Sequence, residues 1–83
     1  MQIELRFFAS LREALGMSRL SWRTDAETVG ALREELSARG GVWAEAFARD
    51  RALRAALDQV MAHEATVLRE GAEVAFFPPV TGG

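Results

Sequence analysis

The chain has 83 residues, a net charge of −2, no cysteine and one histidine. At this length it forms one small domain with a thin core, and the lack of cysteine excludes disulfides, thiolate metal sites and cysteine nucleophiles. The lone His63 cannot build a metal site by itself, no basic stripe favours nucleic-acid binding, and no apolar run approaches the ~20 residues of a membrane span.

Two strands are predicted in the first part of the chain. Residues 2–8 and 18–24 both alternate between apolar and polar side chains, as half-buried strands do. A short helical segment separates them, so we expect them to pair as a hairpin-like start. The alternation at the N-terminus also lacks the apolar core of a signal peptide, and we therefore expect a cytoplasmic protein.

The helix between these strands carries start and stop signals. Ser10 and Glu13 fit a capping box, in which the serine is the N-cap and the glutamate reaches back to its amide. Gly16 is a natural residue to end the helix. The sequence therefore predicts a short helix between Ser10 and Gly16.

The main helix is predicted to begin after Thr28, a favourable N-cap residue. We expect it to end at Gly40-Gly41 and to carry an ion pair between Glu35 and Arg39 on its surface. Apolar residues three, four and seven positions apart mark its buried face, namely Val29, Leu32 and Leu36.

The second half of the chain is less clearly patterned. Residues 42–48 carry two aromatic side chains four positions apart and predict a second helical piece. Residues 51–57 favour a helix by intrinsic propensity, although a further helix would leave few strands for a sheet. Residues 58–62 are apolar enough for a strand, and residues 73–77 predict a final strand that the following prolines stop. Segregated strands around one major helix indicate an α+β domain.

The end of the sequence is its most unusual feature. After Phe76 and Phe77 it reads Pro78-Pro79-Val80-Thr81-Gly82-Gly83. The prolines stiffen the base of this segment, and the glycines allow it to enter a channel too narrow for a branched side chain. Extended, the six residues would reach roughly 20 Å. We interpret 1–77 as the folded domain and 78–83 as an extended diglycine tail, although small residues at chain ends are also common without any function.

No enzyme constellation accompanies the tail. Gly40-Gly41 lacks the context of a phosphate-binding loop, and one histidine gives no basis for a serine–histidine–aspartate set. The sequence therefore favours a carrier, a modifier or an interaction subunit over an independent catalyst. Strand alternation places Phe76 and Phe77 on opposite faces, and we expect Phe77 to face a partner.

The run from Gly71 to Gly83 resembles the signature of molybdopterin synthase small subunits, a family of ubiquitin-like sulfur carriers. The segments 5–13 and 28–33 are similar to this family as well. The resemblance implies a ubiquitin-like β-grasp fold, with a mixed sheet curled around one main helix. It also implies a strand at about 54–61, against propensity. Asp58 departs from the asparagine that is common in the family, and we expect it to shape a turn or an edge.

The resemblance also implies a chemistry for the tail. An ATP-dependent, E1-like activating enzyme adenylates the carboxylate of Gly83, and a sulfur donor protein converts it into a thiocarboxylate. AMP and sulfur are thus carried only transiently, and no permanent cofactor or metal is expected. Gly82 and Thr81 pass through the partner's channel, while the partner is contacted by Phe77, Pro78, Pro79, Val80 and Arg12.

The partner that the resemblance implies is the large subunit of molybdopterin synthase, in a heterotetramer. The sulfur is delivered to cyclic pyranopterin phosphate during molybdenum cofactor biosynthesis, without the small subunit being an enzyme on its own. Two alternatives stay open. The chain is a carrier for another thiolation pathway or a protein modifier, or it is a binding module whose diglycine is incidental.

Overall fold

A computed structural model describes residues 1–79 of the chain. Within this range the chain forms five strands and three helices around one hydrophobic core. In chain order the elements are β1 (Gln2–Phe7), α1 (Ala9–Leu15), β2 (Arg19–Arg23), α2 (Val29–Ser37), α3 (Gly41–Ala46), β3 (Arg54–Leu57), β4 (Val60–Ala62) and β5 (Glu73–Phe77).

The strands form one mixed sheet in the order β2-β1-β5-β3-β4. β1 and β5 run parallel at its centre, with Phe7 opposite Phe76, while β2 and β3 flank them in antiparallel register. The predicted pairing of the first two strands is therefore confirmed. The final strand lies between two others, which fixes the point where the chain leaves the sheet.

The inner face of the sheet holds the core. Alternate residues of β1 and β5 point to this face, and α2, the longest helix, contributes Leu32 and Leu36 to the same cluster. Four aromatic rings fill the end of the core beneath α3, with the Phe47 ring 5.2 Å from Phe76, 5.8 Å from Trp43 and 6.2 Å from Phe7. The fold is the ubiquitin-like β-grasp that the sequence predicted.

The predicted cap of α1 is wrong. The helix begins at Ala9, Phe8 is the N-cap, and no side chain caps the helix. The chain stays extended through Phe8, whose carbonyl accepts hydrogen bonds from the amides of Leu11 and Arg12. Ser10 therefore lies inside the first turn instead of in front of it. The predicted end is confirmed, because Gly16 has a φ of 72° and its amide donates to the carbonyl of Arg12.

The start of α2 is as predicted, and its end differs. The Thr28 side chain accepts a hydrogen bond from the Ala31 amide. The helix ends at Ser37, ahead of the two glycines, and Gly40 at φ 78° leads directly into α3. A short connection with a left-handed residue thus separates two helices that both pack on the core.

The expected ion pair between Glu35 and Arg39 does not form. Glu35 instead accepts a hydrogen bond of 2.7 Å from the indole nitrogen of Trp22. The Arg39 guanidinium lies 4.9 Å from the Trp22 ring centre and 4.2 Å from the Trp43 ring centre. Two aromatic faces at this distance attract a cation, so α2, β2 and α3 are joined by aromatic contacts.

The predicted strand at 54–61 consists of two strands. β3 and β4 pair as a hairpin, with Leu57 opposite Val60. Asp58 and Gln59 form the turn at φ 49° and 69°. Positive φ at both central residues defines the hairpin turn whose twist matches that of the strands. The expectation that Asp58 shapes a turn is confirmed, and the propensity for a helix at 51–57 is overridden by pairing with β5.

Candidate functional site

The candidate site is the surface around the base of the tail. β5 ends at Phe77 in the middle of the sheet, and Pro78 and Pro79 follow it half-buried. The predicted contact residue Val80 and the tail residues Thr81, Gly82 and Gly83 lie outside the described residues, so their assigned roles stay predictions. The described part of the chain thus ends next to the last residue of β5, at two half-buried prolines.

The two phenylalanines of β5 occupy different environments. Phe76 is 1% exposed and belongs to the core. Phe77 is half-buried and pairs with Arg54 of β3, so the two side chains share the outer face of the sheet. The alternation read from the sequence is thereby found in the structure, whereas the contact of Phe77 with a partner remains a prediction.

Two further apolar side chains, which were not predicted as contact residues, lie on this outer face. Phe8 is 39% exposed, and the guanidinium of Arg6 lies 5.4 Å from its ring centre. Met61 is 62% exposed and is connected by strand pairing through Ala56 and Ala75 to Arg6. The alternation of 2–8 already implied that Phe8 points outward, but the hairpin that brings Met61 to this face was not predicted.

Arg6 lies on this face near the end of β1, opposite Arg19 of β2 and Ala75 of β5. Its guanidinium contacts the carboxylate of Glu73 at 3.4 Å. Its Nε atom is buried without a hydrogen-bond partner among the described residues. Arg6 thus lies opposite Ala75 and beside the Phe8 ring, and its charge is paired with that of Glu73.

Of the predicted contact residues Arg12 and Pro78, only Pro78 lines a groove on the surface of the domain. Arg12 is exposed on α1, while Pro78 lines a groove of about 330 Å³ between α1, α3 and the segment before β3. Arg12 is not part of that lining. The groove is mixed in character, and its walls are formed by Ser10, Leu11, Ala14, Val42, Glu45, Ala46, Arg51, Ala52, Leu53 and Pro78.

The described residues hold no group of three or more metal-ligating side chains. His63 is exposed, and its Nδ1 atom accepts a hydrogen bond from the Ala65 amide at 3.3 Å. No helix between Met1 and Pro79 has the length and apolar character needed to cross a bilayer.

Comparison with known proteins identifies the family. A family model described as the ThiS family matches residues 5–83. The chain belongs to the ThiS family. This match spans the β-grasp body and continues to Gly83, so the tail lies within the region of family similarity.

Curated relatives of this ThiS-family chain match over nearly its full length. It is 43% identical over 81 residues to the molybdopterin synthase sulfur carrier subunit of Escherichia coli, covering 98% of this chain and 99% of that protein. It is also 35% identical over 92 residues to small archaeal modifier protein 3 of Haloferax volcanii, with both chains covered completely.

A solved structure shares the fold. The complex of subunits 1 and 2 of the molybdopterin-converting factor from Helicobacter pylori contains a chain that superimposes with a TM-score of 0.69. That chain is 24% identical, and both chains are covered over 100% of their length. Membership in the sulfur carrier family is thus shown by sequence, and the β-grasp architecture is shown by structure.

Proposed function

We propose that this protein is the sulfur carrier subunit of a molybdopterin synthase and that the carboxyl group of Gly83 carries the sulfur. The observation that supports this most directly is the 43% identity to the Escherichia coli sulfur carrier subunit across 99% of that protein. The fold agrees with this role, since the central strand β5 leads straight into the diglycine segment.

Charging proceeds in two stages. The Gly83 carboxylate attacks the α-phosphate of ATP in the activating enzyme, which forms an acyl adenylate and releases pyrophosphate. The terminal sulfur of a persulfide donor then displaces AMP, and a thiol reduces the resulting acyl disulfide to give the thiocarboxylate. This chain supplies only the acyl carbon, because it contains no cysteine of its own.

Delivery takes place in the large subunit. The thiocarboxylate sulfur attacks a carbon of the cyclic pyranopterin phosphate and displaces the oxygen bound there, which gives a thioester between Gly83 and the pterin. Water then attacks the acyl carbon of Gly83 and cleaves its bond to sulfur, so that the sulfur stays on the pterin and the carboxylate is regenerated. The glycines give the tail a narrow cross-section for the channel, and Phe77, Pro78 and Pro79 contact the rim. Phe8 and Met61 extend this contact on the outer face, because they are exposed and apolar there.

Intact mass spectrometry tests the proposal. The protein is incubated with ATP, the activating enzyme and the persulfide donor, and we expect a species in which one oxygen of the C-terminus is replaced by sulfur. A protein with a C-terminal amide on Gly83 is the control and should remain unchanged. An unaltered mass for the native protein under conditions that charge the Escherichia coli carrier would refute the assignment.

A second function is favoured by one specific finding, the 35% identity to small archaeal modifier protein 3. In that case the activated Gly83 carbonyl is attacked by a lysine amine of another protein, and AMP leaves as an isopeptide bond forms. Denaturing gels of cells that express a tagged chain distinguish the two functions. Covalent adducts that persist in reducing buffer support the modifier, and free protein alone supports the carrier.

A further inference from the structure

The charges on and around the outer face of the sheet are segregated along the strands. We call the end where β1 and β5 finish the tail end, and the opposite end the far end. Three acidic side chains near the far end accept hydrogen bonds from neighbours. Glu4 accepts a hydrogen bond from the Ser21 hydroxyl, Glu70 accepts one from the Gln2 amide at 3.1 Å, and Asp58 accepts one from Arg69 at 2.8 Å.

Two arginines occupy the tail end. Arg19 pairs with Arg6 at the start of β2, and Arg54 pairs with Phe77 at the start of β3, so both point to the outer face. Both are exposed, and neither has a carboxylate within 4 Å among residues 1–79. The tail end of this face therefore carries positive charge that the described part of the chain does not neutralise.

The position of these arginines follows from the strand order. β2 and β3 lie on either side of the central pair β1 and β5. With neighbouring strands ~4.8 Å apart, Arg19 and Arg54 stand roughly 14 Å from one another across the sheet. The two arginines therefore lie on opposite sides of the end of β5. A partner protein that encloses the tail must approach both of them.

Exposed arginines are ordinary on a protein surface, but this arrangement has a consequence for association. Charges at the rim of an interface act mainly on the rate of encounter and on its salt dependence. When the charge of one sign is concentrated on one side of a protein, it orients the approaching partner before contact. In a chain whose net charge is −2, a cationic tail end and carboxylates at the far end favour approach of an acidic partner surface through the tail end.

We infer that the large synthase subunit presents carboxylate side chains beside the entrance to its tail channel, opposite Arg19 and Arg54. This inference rests on the proposed function and adds the chemistry of the partner surface to it. The carboxylates pair with the two guanidinium groups while Phe8 and Phe77 pack between them. Arg19 and Arg54 are thus positioning residues for docking and take no part in sulfur chemistry.

Stopped-flow association with the large subunit from the same organism tests the inference. The wild type, R19E/R54E and R19Q/R54Q are compared at low and at physiological ionic strength. Arg23 provides the matched control, because it lies on the same strand and face as Arg19 but at the far end, opposite Gln2. At low salt we expect the association rate to fall about tenfold for R19E/R54E, less for R19Q/R54Q, and little for R23E. The difference should shrink as salt increases.

The outcomes separate the two proposals. Equal rates for the wild type and R19E/R54E, or an equal loss in R23E, would overturn the inference while leaving the carrier function intact. No binding of the wild type to the large subunit would contradict the proposed function and the partner named here. Circular dichroism and thermal unfolding establish that the variants are folded, and unchanged thiocarboxylation at Gly83 shows that the tail itself is unaffected.

Discussion

Asp58 shows how one residue supports the edge of the sheet. It lies in the left-handed region at φ 49°, which aspartate and asparagine tolerate better than most residues. Its Oδ1 atom accepts a hydrogen bond of 2.9 Å from the Glu73 amide, and its Oδ2 atom accepts one from Arg69. The backbone amide of Glu73 and then the Arg69 side chain lower the pKa of Asp58 below its ordinary value of 3.8.

We predict that this carboxylate makes stability depend on acid pH. Because the pKa of Asp58 is lower in the folded state, its ionised form stabilises the fold above the unfolded-state pKa. This contribution is lost as the pH falls through the folded-state pKa. Urea unfolding between pH 7 and pH 2 should show a steeper acid loss for the wild type than for Asp58→Asn, which keeps an oxygen acceptor and tolerates positive φ. Asp58→Ala, which loses both properties, should be the least stable variant at neutral pH.

Parallel pH profiles for the wild type and Asp58→Asn would contradict this assignment. Other acidic groups contribute equally to both proteins, and subtracting one profile from the other therefore isolates Asp58. Retained hairpin signals in the nuclear magnetic resonance spectrum of Asp58→Asn serve as the structural control.

At this scale the sequence predicted Thr28 correctly as a cap and Ser10 incorrectly. Both residues have the right chemistry, but a cap must be the last extended residue before its helix. Thr28 is extended at φ −130° and fulfils this condition. In front of α1, Phe8 is the extended residue because the chain remains beside β5 until that point. The pairing of the chain with β5 as far as Phe8 determines where α1 begins, and a local sequence pattern does not contain this pairing.

At the scale of the elements, Arg33 connects α2 to the loop between α3 and β3 through hydrogen bonds. Its guanidinium donates hydrogen bonds to the carbonyls of Phe47, Ala48 and Arg51, at 3.1 Å for Phe47 and 2.7 Å for Arg51. Desolvation lowers the pKa of Arg33, and the charges of Glu64, Arg49 and Asp50 act on it to a smaller degree. Arg33 therefore holds the connection between α3 and β3 in place.

We predict that Arg33→Met destabilises the protein by about 1–3 kcal/mol, since it leaves three carbonyls without this donor. Arg49→Met is the matched control. Arg49 contacts Glu34 and Glu64, but its side chain is 71% exposed, and exposed ion pairs contribute less than about 1 kcal/mol. Urea denaturation measures both changes. Equal losses for the two variants would show that Arg33 acts only through its charge.

The β3–β4 hairpin is the element that the sequence described least well. Residues 51–57 consist of good helix formers, and Asp58-Gln59 lacks the glycine that usually marks a two-residue hairpin turn. The strand at β3 exists because Ala55 and Ala56 are small enough to be buried between neighbours while the backbone pairs with β5. This strand is stabilised by its pairing and packing with neighbouring strands, so the intrinsic propensity of its residues does not predict it.

The two faces of β5 lead to a prediction about adjacent residues. Phe76→Ala should cost about 3–5 kcal/mol, because it opens a cavity beside Phe47 in the core. Phe77→Ala, at a half-buried position, should cost about 1 kcal/mol but weaken binding to the large subunit. Thermal unfolding and a binding titration together distinguish the two. A stable Phe77→Ala protein with unchanged affinity would remove Phe77 from the interface.

For the molecule as a whole, the sequence predicted the fold more completely than it predicted the surface where β5 ends, and the extended tail stays a prediction. The alternating strands, the main helix and the diglycine segment are all local in sequence. The outer face combines Phe8, Met61, Phe77 and the two arginines at the tail end, which come from five different segments and meet only through the strand order. Because strand order is set by the global packing, no local pattern contained this surface.

We predict that the stability of the folded domain does not depend on the last four residues of the chain. Among residues 1–79, every buried residue of the core cluster lies between Ile3 and Phe76, so a chain that stops after Pro79 keeps all of this packing. We expect removal of 80–83 to change the free energy of unfolding by less than about 0.5 kcal/mol, or about 2–4 °C in Tm for a domain of this size. The same protein should no longer accept sulfur, as measured by mass spectrometry after incubation with ATP, activating enzyme and donor.

Gly82→Val is the companion variant, since it retains the Gly83 carboxylate but widens the tail. We expect this variant to be folded and to be thiocarboxylated slowly. A truncated chain that unfolds at much lower temperature would show that the tail supports the body, and one that still supports cofactor synthesis would show that the acyl group of Gly83 is not the sulfur carrier.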